Sequence, residues 1–371
     1  MKKLMLTTAL ASVLTTAAIA QTTVTGELRV SYSDITMKKG SLGIVDGTVT
    51  GTSAPDTSYG FGVEQQINIQ TKGKLNIGGL DYAAGFSIEN DGNQTGTLFN
   101  ENTYIDLTNA SSGTTVSFSR DHIQRSDTDF SATNLVGFTP NELSQTNGVT
   151  NSGTRFKQHP GAAPGQAFGA AIVQKTPIGS FSYLYVPNNG GNGDQGVVST
   201  TNAGLGGSED VAPNTTAAYE YGFLGDFGVK GLTVHYFKNS NNDVVTAANT
   251  ISADAKNYGI KYNFGEITVG ANKKVHQQET TGASIATGVQ SEITEKAYAA
   301  AYAVNKDFTV GLLMAKASRD NSSVDQKVKA INVGYALGPV NLSLGYAQNK
   351  DQGGVAGADT DHVIARLIGA F

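Results

Sequence analysis

The sequence predicts an all-β fold, a transmembrane antiparallel β-barrel of about 16 strands, from two observations. Segments that alternate apolar and polar residues recur along the chain, and a period of two is the signature of a strand with two different faces. Short turns and long polar loops then alternate between these segments. That alternation of connections is typical of a barrel that crosses a membrane.

The first strand shows the pattern in "TVTGELRVSY" (23–32), where Val24, Leu28 and Val30 share one face and Glu27 and Arg29 share the other. The segments "GEITVGAN" (265–272) and "PVNLSLGYAQ" (339–348) repeat it. The predicted strands, in chain order, are 22–33, 61–76, 81–91, 99–108, 113–120, 165–175, 179–187, 214–223, 228–239, 254–264, 266–276, 292–304, 307–318, 325–337, 339–349 and 360–371.

The connections decide between a membrane barrel and a soluble sandwich, which would show the same alternation within strands. Short turns occur at 77–80, 109–113, 176–179, 224–228, 264–265, 305–307 and 337–339. Long polar loops occur at 34–58, 188–213, 240–253, 276–291 and 350–360. Aromatic residues stand beside the short turns, where a girdle at the membrane interface is expected: Tyr82, Phe223, Phe227, Phe264, Phe308 and Tyr335.

The last ten residues, "HVIARLIGAF" (362–371), form a strand that ends on an aromatic residue. In hydrocarbon every backbone N–H and C=O must be paired, so the sheet has to close and the first strand has to pair with the last. An even number of strands then brings both termini to the side of the short turns. There Phe371 would lie in the aromatic girdle, while His362 and Arg366 would face the lumen.

The N-terminal residues 1–20 have the order of a cleaved signal peptide, with Lys2 and Lys3 before an apolar stretch and Ala18-Ile19-Ala20 before Gln21. A transmembrane anchor is the alternative, but four threonines dilute a stretch that is short for a span. Residues 21–371 would then form the barrel domain, with 24 basic and 31 acidic residues and a net charge of −7. The chain has no cysteine, and it has no basic run that would indicate nucleic-acid binding.

At this point the chain resembles the sixteen-stranded porins of Gram-negative outer membranes. The residues that carry the resemblance are the signal peptide, "TTVTGELRVSYS" (22–33), "VSFSRD" (116–121) and "ARLIGAF" (365–371). The resemblance implies a homotrimer in the outer membrane. It also implies that the barrel-assembly machinery reads a C-terminal insertion signal during insertion, formed by Phe371, Leu367, Ala365 and Val363.

The resemblance further implies that the third loop, residues 121–164, folds into the barrel and narrows it. Acidic loop residues would then face basic residues on the wall, and opposed fixed charges across a narrow lumen govern which solutes pass. The loop candidates are Asp121, Asp127, Asp129 and Glu142, and the wall candidates are Arg29, Arg120, Arg366, Lys72 and Lys74. The family's acidic Pro-Glu-Phe element is absent, and "TPNEL" (139–143) is the nearest stretch. The alternative for each acid is a solvated loop residue.

The function that the resemblance implies is passive diffusion of ions and small hydrophilic solutes. The net charge of −7 predicts a weak preference for cations. A structural or adhesive barrel and a substrate-selective porin are the alternatives. An enzyme is disfavoured, because the five histidines are scattered and none has metal-binding spacing. No cofactor is expected. The loop 188–196 could bind Ca²⁺ through Asp194, but a plain loop fits its spacing better.

Overall fold

A computed structural model describes residues 21–38, 42–45, 48–52, 57–75, 77–90, 99–119, 130–144, 168–187, 217–245, 249–282, 285–320, 322–354 and 356–371. Sixteen strands form one closed antiparallel barrel, and a separate hairpin adds two more. The strands are β1 (Gln21–Met37), β2 (Leu42–Val45), β3 (Thr48–Thr52), β4 (Thr57–Lys74), β5 (Leu80–Asn90), β6 (Phe99–Asn109), β7 (Thr114–Ser119), β8 (Gly169–Thr176), β9 (Gly179–Val186), β10 (Ala218–Gly225), β11 (Leu232–Val245), β12 (Asn249–Asn263), β13 (Ile267–Gly282), β14 (Ile285–Ala303), β15 (Phe308–Arg319), β16 (Gln326–Leu337), β17 (Val340–Lys350) and β18 (Thr360–Ala370). The predicted barrel of sixteen strands is confirmed.

The barrel closes where β1 pairs with β18, as the need to satisfy every backbone group predicts. The last residue completes the seam: the Gly26 N–H donates to the Phe371 carbonyl (2.7 Å), and the Phe371 N–H donates to the Gly26 carbonyl (3.0 Å). The Phe371 ring lies over Gly26, where a Cβ atom would come within 2.3 Å of it. Glycine at this position therefore gives the terminal aromatic ring its place on the outer surface.

The two faces of the wall differ along each strand. On β15, Leu312 and Met314 point outward and are more than half exposed (59% and 55%), whereas Leu313 and Ala315 point inward and are buried (2% and 6%). Aromatic rings cluster beside the short turns, where the predicted girdle lies. Ring contacts there join Phe223 with Phe227, Tyr262 with Phe264, and Phe308 with Tyr335.

Several predicted loops are shorter than expected, because strands continue beyond the predicted ends. The segments 240–253 and 276–291 belong largely to β11–β14, and β1 runs on to Met37. The loop predicted at 34–58 also holds the hairpin of β2 and β3. The polarity of these segments suggested loops, but a backbone ladder needs no apolar face where water surrounds its strands.

Within the part of the chain that the structure describes, no helix is long and apolar enough to cross a membrane. One short helix, α1 (Pro140–Leu143), lies within residues 121–164, the third loop, where the sequence predicted no strand. The segment 130–144 that contains α1 packs on the inner wall, with Phe130, Phe138 and Leu143 fully buried. Below it the wall carries small and apolar inward residues, including Ala297, Leu313, Ala315, Val328, Ala330, Ala347 and Ile364.

Candidate channel constriction

The inward segment, residues 130–144, owes its local shape to its own sequence. Thr139 caps α1: its hydroxyl accepts from the Glu142 N–H (3.3 Å), and the Glu142 carboxylate accepts from the Thr139 N–H (2.8 Å). This reciprocal pair is a capping box, and Pro140 occupies the first turn, where a missing N–H costs nothing. The stretch "TPNEL" therefore encodes a helical turn that orients the Glu142 side chain.

Gly137 allows the chain to turn before this helix. Its φ of 89° lies in the left-handed region that favours glycine. A Cβ atom there would also lie 2.4 Å from the Ser343 hydroxyl on β17. Both the backbone angle and the close approach to the wall therefore require glycine.

Glycines on the wall form a groove that receives the inward segment. A Cβ atom on Gly311 of β15 would lie 2.4 Å from a Val136 methyl group, and one on Gly334 of β16 would lie 3.2 Å from the other. On β17, Gly345 similarly makes room for the Phe138 ring, which lies 3.0 Å from its ideal Cβ position. We call these three residues the glycine groove.

Polar contacts fasten the C-terminal end of the inward segment to β17, to β18 and to the connection between them. The Leu143 carbonyl accepts from Asn349 Nδ2 (3.0 Å) and from His362 Nδ1 (3.3 Å). The His362 Nε2 atom in turn accepts from the Ser33 hydroxyl on β1 (2.5 Å). The Ser144 carbonyl accepts from Gln352 Nε2 (3.1 Å). These carbonyls are buried, so side chains of the wall replace the water that would otherwise satisfy them.

Arg366 on β18 contacts the middle of the inward segment. Its guanidinium forms an ion pair with Glu142, donates to the Gly137 carbonyl (3.1 Å) and lies 4.9 Å from the centre of the Phe138 ring. The Arg366 side chain is only 12% exposed and that of Glu142 only 23%. A charge-assisted contact with this little exposure is stronger than a surface ion pair.

A second charged cluster fastens the N-terminal end. The Lys274 ammonium lies 4.0 Å from the centre of the Phe130 ring and 3.6 Å from the Glu295 carboxylate. His276 Nε2 lies 3.2 Å from the same carboxylate. All of these side chains are buried. The inward segment thus meets charged side chains of the wall at Phe130, through Lys274, and at Glu142, through Arg366.

Arg29 lies on the inner face of β1, diagonal to Arg366, since Arg29 is in register with Ile368. It forms ion pairs with Glu27 (2.9 Å) and Glu64 (2.5 Å), and its side chain is 31% exposed. Carboxylates of its own wall therefore balance this arginine. Together, Glu27, Glu64 and Glu142 contact the two arginines in the barrel interior.

The structure separates Lys72 and Lys74 from this group. Lys72 is in register with Gln21 at the beginning of β1, whereas Glu64 is in register with Arg29. Eight residues of strand between Glu64 and Lys72 correspond to about 26 Å, so both lysines lie at the short-turn mouth. Arg120, Asp121, Asp127 and Asp129 lie outside the described residues.

Sequence reasoning missed the wall residues Glu64, Lys274, His276 and Glu295, and also the glycine groove. The signal for the charged residues was present, because Lys274 and His276 continue the inward parity of Thr268 and Asn272 on the same strand. The groove has no such signal. Glycines inside strands recur throughout this sequence, and only the packing distinguishes those beneath the loop.

The C-terminal residues lie on the outer face of β18 as the strand alternation predicts. Val363 (47%), Leu367 (42%) and Phe371 (76%) are exposed there, and Ala365 is half-buried between them. These side chains form an apolar row that is accessible along the closing seam. No group of acidic or histidine side chains within the described ranges could hold a metal ion.

A closed sixteen-stranded barrel with a loop segment held inside it is the fold of the bacterial porins. No protein-family model matches the chain, and no curated protein sequence matches it significantly. Solved structures do match. The anion-selective porin from Comamonas acidovorans has a TM-score of 0.66 and 15% identity, over 95% of this chain and 100% of that one.

Two further porin-fold structures extend the comparison. OmpF of Salmonella typhi, in complex with daunomycin, has a TM-score of 0.62 and 11% identity, over 95% of this chain and 98% of that one. A trimer form of in-vitro folded OmpT, an outer membrane protein of Vibrio cholerae, has a TM-score of 0.57 and 11% identity, over 95% and 100% of the two chains. At these identities the likeness defines the fold.

Proposed function

We propose that this protein is an outer-membrane porin, a water-filled channel for passive diffusion of ions and small hydrophilic solutes. The observation that carries the proposal is the inward segment, which is fastened along one inner wall by Lys274, Asn349, His362 and Arg366. A barrel of sixteen strands is wide enough to keep an aqueous lumen beside such a segment. The loop therefore narrows the channel and places charges at its edge.

A weak preference for cations is the finer part of the proposal. Glu27, Glu64 and Glu142 outnumber Arg29 and Arg366 in the group that they form. Charges beyond roughly 8 Å are largely screened at physiological salt, so this local excess counts more than the net charge of the chain. The Comamonas protein is named an anion-selective porin. A porin fold can therefore be anion-selective, so the proposed cation preference of this chain depends on the charges in its lumen.

The acids Asp121, Asp127 and Asp129 add to this proposal as constriction residues of the third loop, opposite Arg120. If they line the lumen, replacing Asp127 and Asp129 by Asn shifts the zero-current potential in a salt gradient toward anions. Replacing Arg120 by Ala shifts it toward cations and raises conductance. An unchanged potential in the double Asn variant would remove these acids from the constriction.

Conductance in a planar bilayer tests the channel itself. We expect purified protein to give discrete current steps that scale with salt concentration, and liposomes containing it to swell in small sugars without strong discrimination. Absence of steps from correctly folded protein would favour a structural or adhesive barrel. Swelling with one sugar class alone would favour a substrate-selective porin.

A homotrimer inserted by the barrel-assembly machinery after export completes the proposal. The match to a trimer form of the Vibrio OmpT supports the assembly state. The exposed apolar row Val363, Leu367 and Phe371 supports recognition of the last strand during insertion. Both are tested below.

A further inference from the structure

Five lysines form a row on the outer face of the barrel, one on each of five neighbouring strands. The register pairs Lys273 of β13 with Lys296 of β14, and Lys296 with Lys316 of β15. Lys316 pairs with Lys327 of β16, and Lys327 pairs with Lys350 of β17. All five are exposed. We call them the lysine row.

The lysine row lies at the long-loop edge of the apolar outer surface. On β14, the outward residues that follow Lys296 toward the short turn are Tyr298, Ala300 and Tyr302, with Tyr298 55% exposed. The six residues from Lys296 to Tyr302 correspond to about 20 Å of strand, close to the height of the apolar band of a membrane barrel, about 25 Å. A flexible lysine at that edge can extend its ammonium group out of the hydrocarbon to the interface.

Such a row is unfavourable unless an anion accompanies it, since like charges directly opposite each other on neighbouring strands repel. In the described ranges only Lys316 of the row forms an ion pair, with Asp325 (2.6 Å). The outward faces of β4–β10, as far as the structure describes them, carry neither lysine nor arginine. The row is therefore a run of basic charge on one side of the barrel, and within the described ranges Asp325 is the one acid that forms an ion pair with it.

We propose that the lysine row binds the phosphate groups of lipid headgroups in the leaflet at the long-loop end. Neighbouring strands are about 4.8 Å apart, so the row spans roughly 19 Å along the interface, enough for several phosphates. A linear row above an apolar band suits a lipid surface, whereas a free anion would need converging donors. The inference rests on the proposed membrane location of the barrel.

The test measures binding of detergent-purified protein to lipopolysaccharide that carries its phosphates, to the same lipid with the phosphates removed, and to inorganic phosphate alone. The variant is Lys296→Gln/Lys327→Gln. Its matched control is Lys230→Gln/Lys306→Gln, which removes two exposed lysines at the short-turn end. Planar-bilayer conductance of each variant is measured in parallel.

We expect about fivefold weaker binding of the phosphorylated lipid for each row lysine removed, hence about 25-fold for the pair, and little change in the control. Removing the lipid phosphates should weaken binding to the native protein similarly. Conductance of the row variant should stay normal, because these side chains lie outside the lumen. Absence of conductance would thus contradict the proposed channel function, while the lipid-binding measurement would still test the lysine row.

Equal affinity of the row variant and the native protein would overturn the proposal, as would an equal loss in the control. Displacement of the lipid by millimolar inorganic phosphate would overturn the assignment to a lipid surface. If the row variant does not fold, the proposal is tested by comparing how tightly the native protein binds phosphorylated and dephosphorylated lipid. Binding that ignores the phosphates would then reject the proposal.

Discussion

Glu142 illustrates how one side chain can serve both local structure and the lumen. Its carboxylate closes the capping box of α1 with Thr139 and also pairs with Arg366. The helix therefore holds the carboxylate where the arginine of the wall can reach it. The two residues carry opposite charges, so neutralising each of them should have opposite effects on ion selectivity.

We expect Glu142→Gln and Arg366→Gln to shift the zero-current potential in a salt gradient in opposite directions. Glutamine keeps the capping-box geometry, so Glu142→Gln removes charge alone and should shift selectivity toward anions. Arg366→Gln should shift it toward cations. It should also raise conductance, because the inward segment loses charge-assisted bonds of about 1.5–3 kcal/mol each.

The control for this pair is Lys306→Gln, in a turn where the lysine side chain is 87% exposed. It changes charge by the same amount far from the inward segment and should leave the potential almost unchanged. Shifts of the same sign in Glu142→Gln and Arg366→Gln would contradict the assignment of these residues to the lumen.

At the scale of elements, the inward segment depends on the glycine groove more than on its own short helix. A helix of four residues has little stability alone, so its position is set by contacts with the wall. Val136 fills the space above Gly311 and Gly334, and Phe138 fills the space above Gly345. The groove and the segment are thus complementary surfaces on distant parts of the chain.

Gly311→Ala should displace the inward segment from the glycine groove, because the new methyl group would lie 2.4 Å from a Val136 methyl group. Overpacking of this kind typically costs about 1–3 kcal/mol. We expect the noise of the open-channel current to rise. Val136→Ala in the same background should restore a quiet channel, since it removes the clashing methyl group.

Gly62→Ala provides the matched control for the groove. Gly62 lies on β4, and a Cβ atom there would meet nothing within 4 Å. The open-channel current of the Gly62→Ala variant should therefore show no added noise. The glycine groove would not be what positions the inward segment if Gly62→Ala raised the current noise as much as Gly311→Ala. The same conclusion would follow if Val136→Ala did not reduce the noise of the Gly311→Ala variant.

At the scale of the whole molecule, closure of the barrel ends on Phe371. Two backbone hydrogen bonds join it to Gly26, and its ring covers that glycine on the outer face. Each such bond contributes about 1 kcal/mol net, a small part of the stability of sixteen paired strands. The exposed ring is correspondingly accessible to another protein during insertion.

Deletion of Phe371 should therefore lower the amount of protein assembled in the outer membrane much more than it lowers the denaturant midpoint of refolded protein. Phe371→Tyr keeps the ring and should assemble normally. Wild-type levels of the deletion in the membrane of cells would contradict this role for the terminal residue.

We expect the barrels to associate as a homotrimer. The strand β7 (Thr114–Ser119) is short, with six residues, as on the wall through which porins associate, whereas β6 (Phe99–Asn109), also predicted to be short, has 11. The outward faces of β4–β10 carry no basic residue within the described ranges. Unheated electrophoresis and crosslinking of detergent extracts should show a trimer. A monomer in both assays would argue strongly against it.

The sequence by itself determined the barrel. Alternation in "TVTGELRVSY" and "PVNLSLGYAQ", together with the short turns, sufficed for sixteen strands, because the strand period is a local constraint. The need to pair every backbone group in lipid sufficed for the pairing of the first strand with the last. Strand parity likewise indicated the inward side of Arg29 and Arg366.

Only the tertiary structure decided what these residues contact. Arg29 pairs with Glu64 on the next strand of the barrel and Arg366 with Glu142 of the loop, while Lys72 lies a long way along the same wall. Strand parity specifies which face of the wall a residue lies on, but not its position along the barrel axis. That position depends on the register between strands. The glycine groove and the lysine row arise in the same way. Each joins residues far apart in sequence, which only register and loop packing bring together.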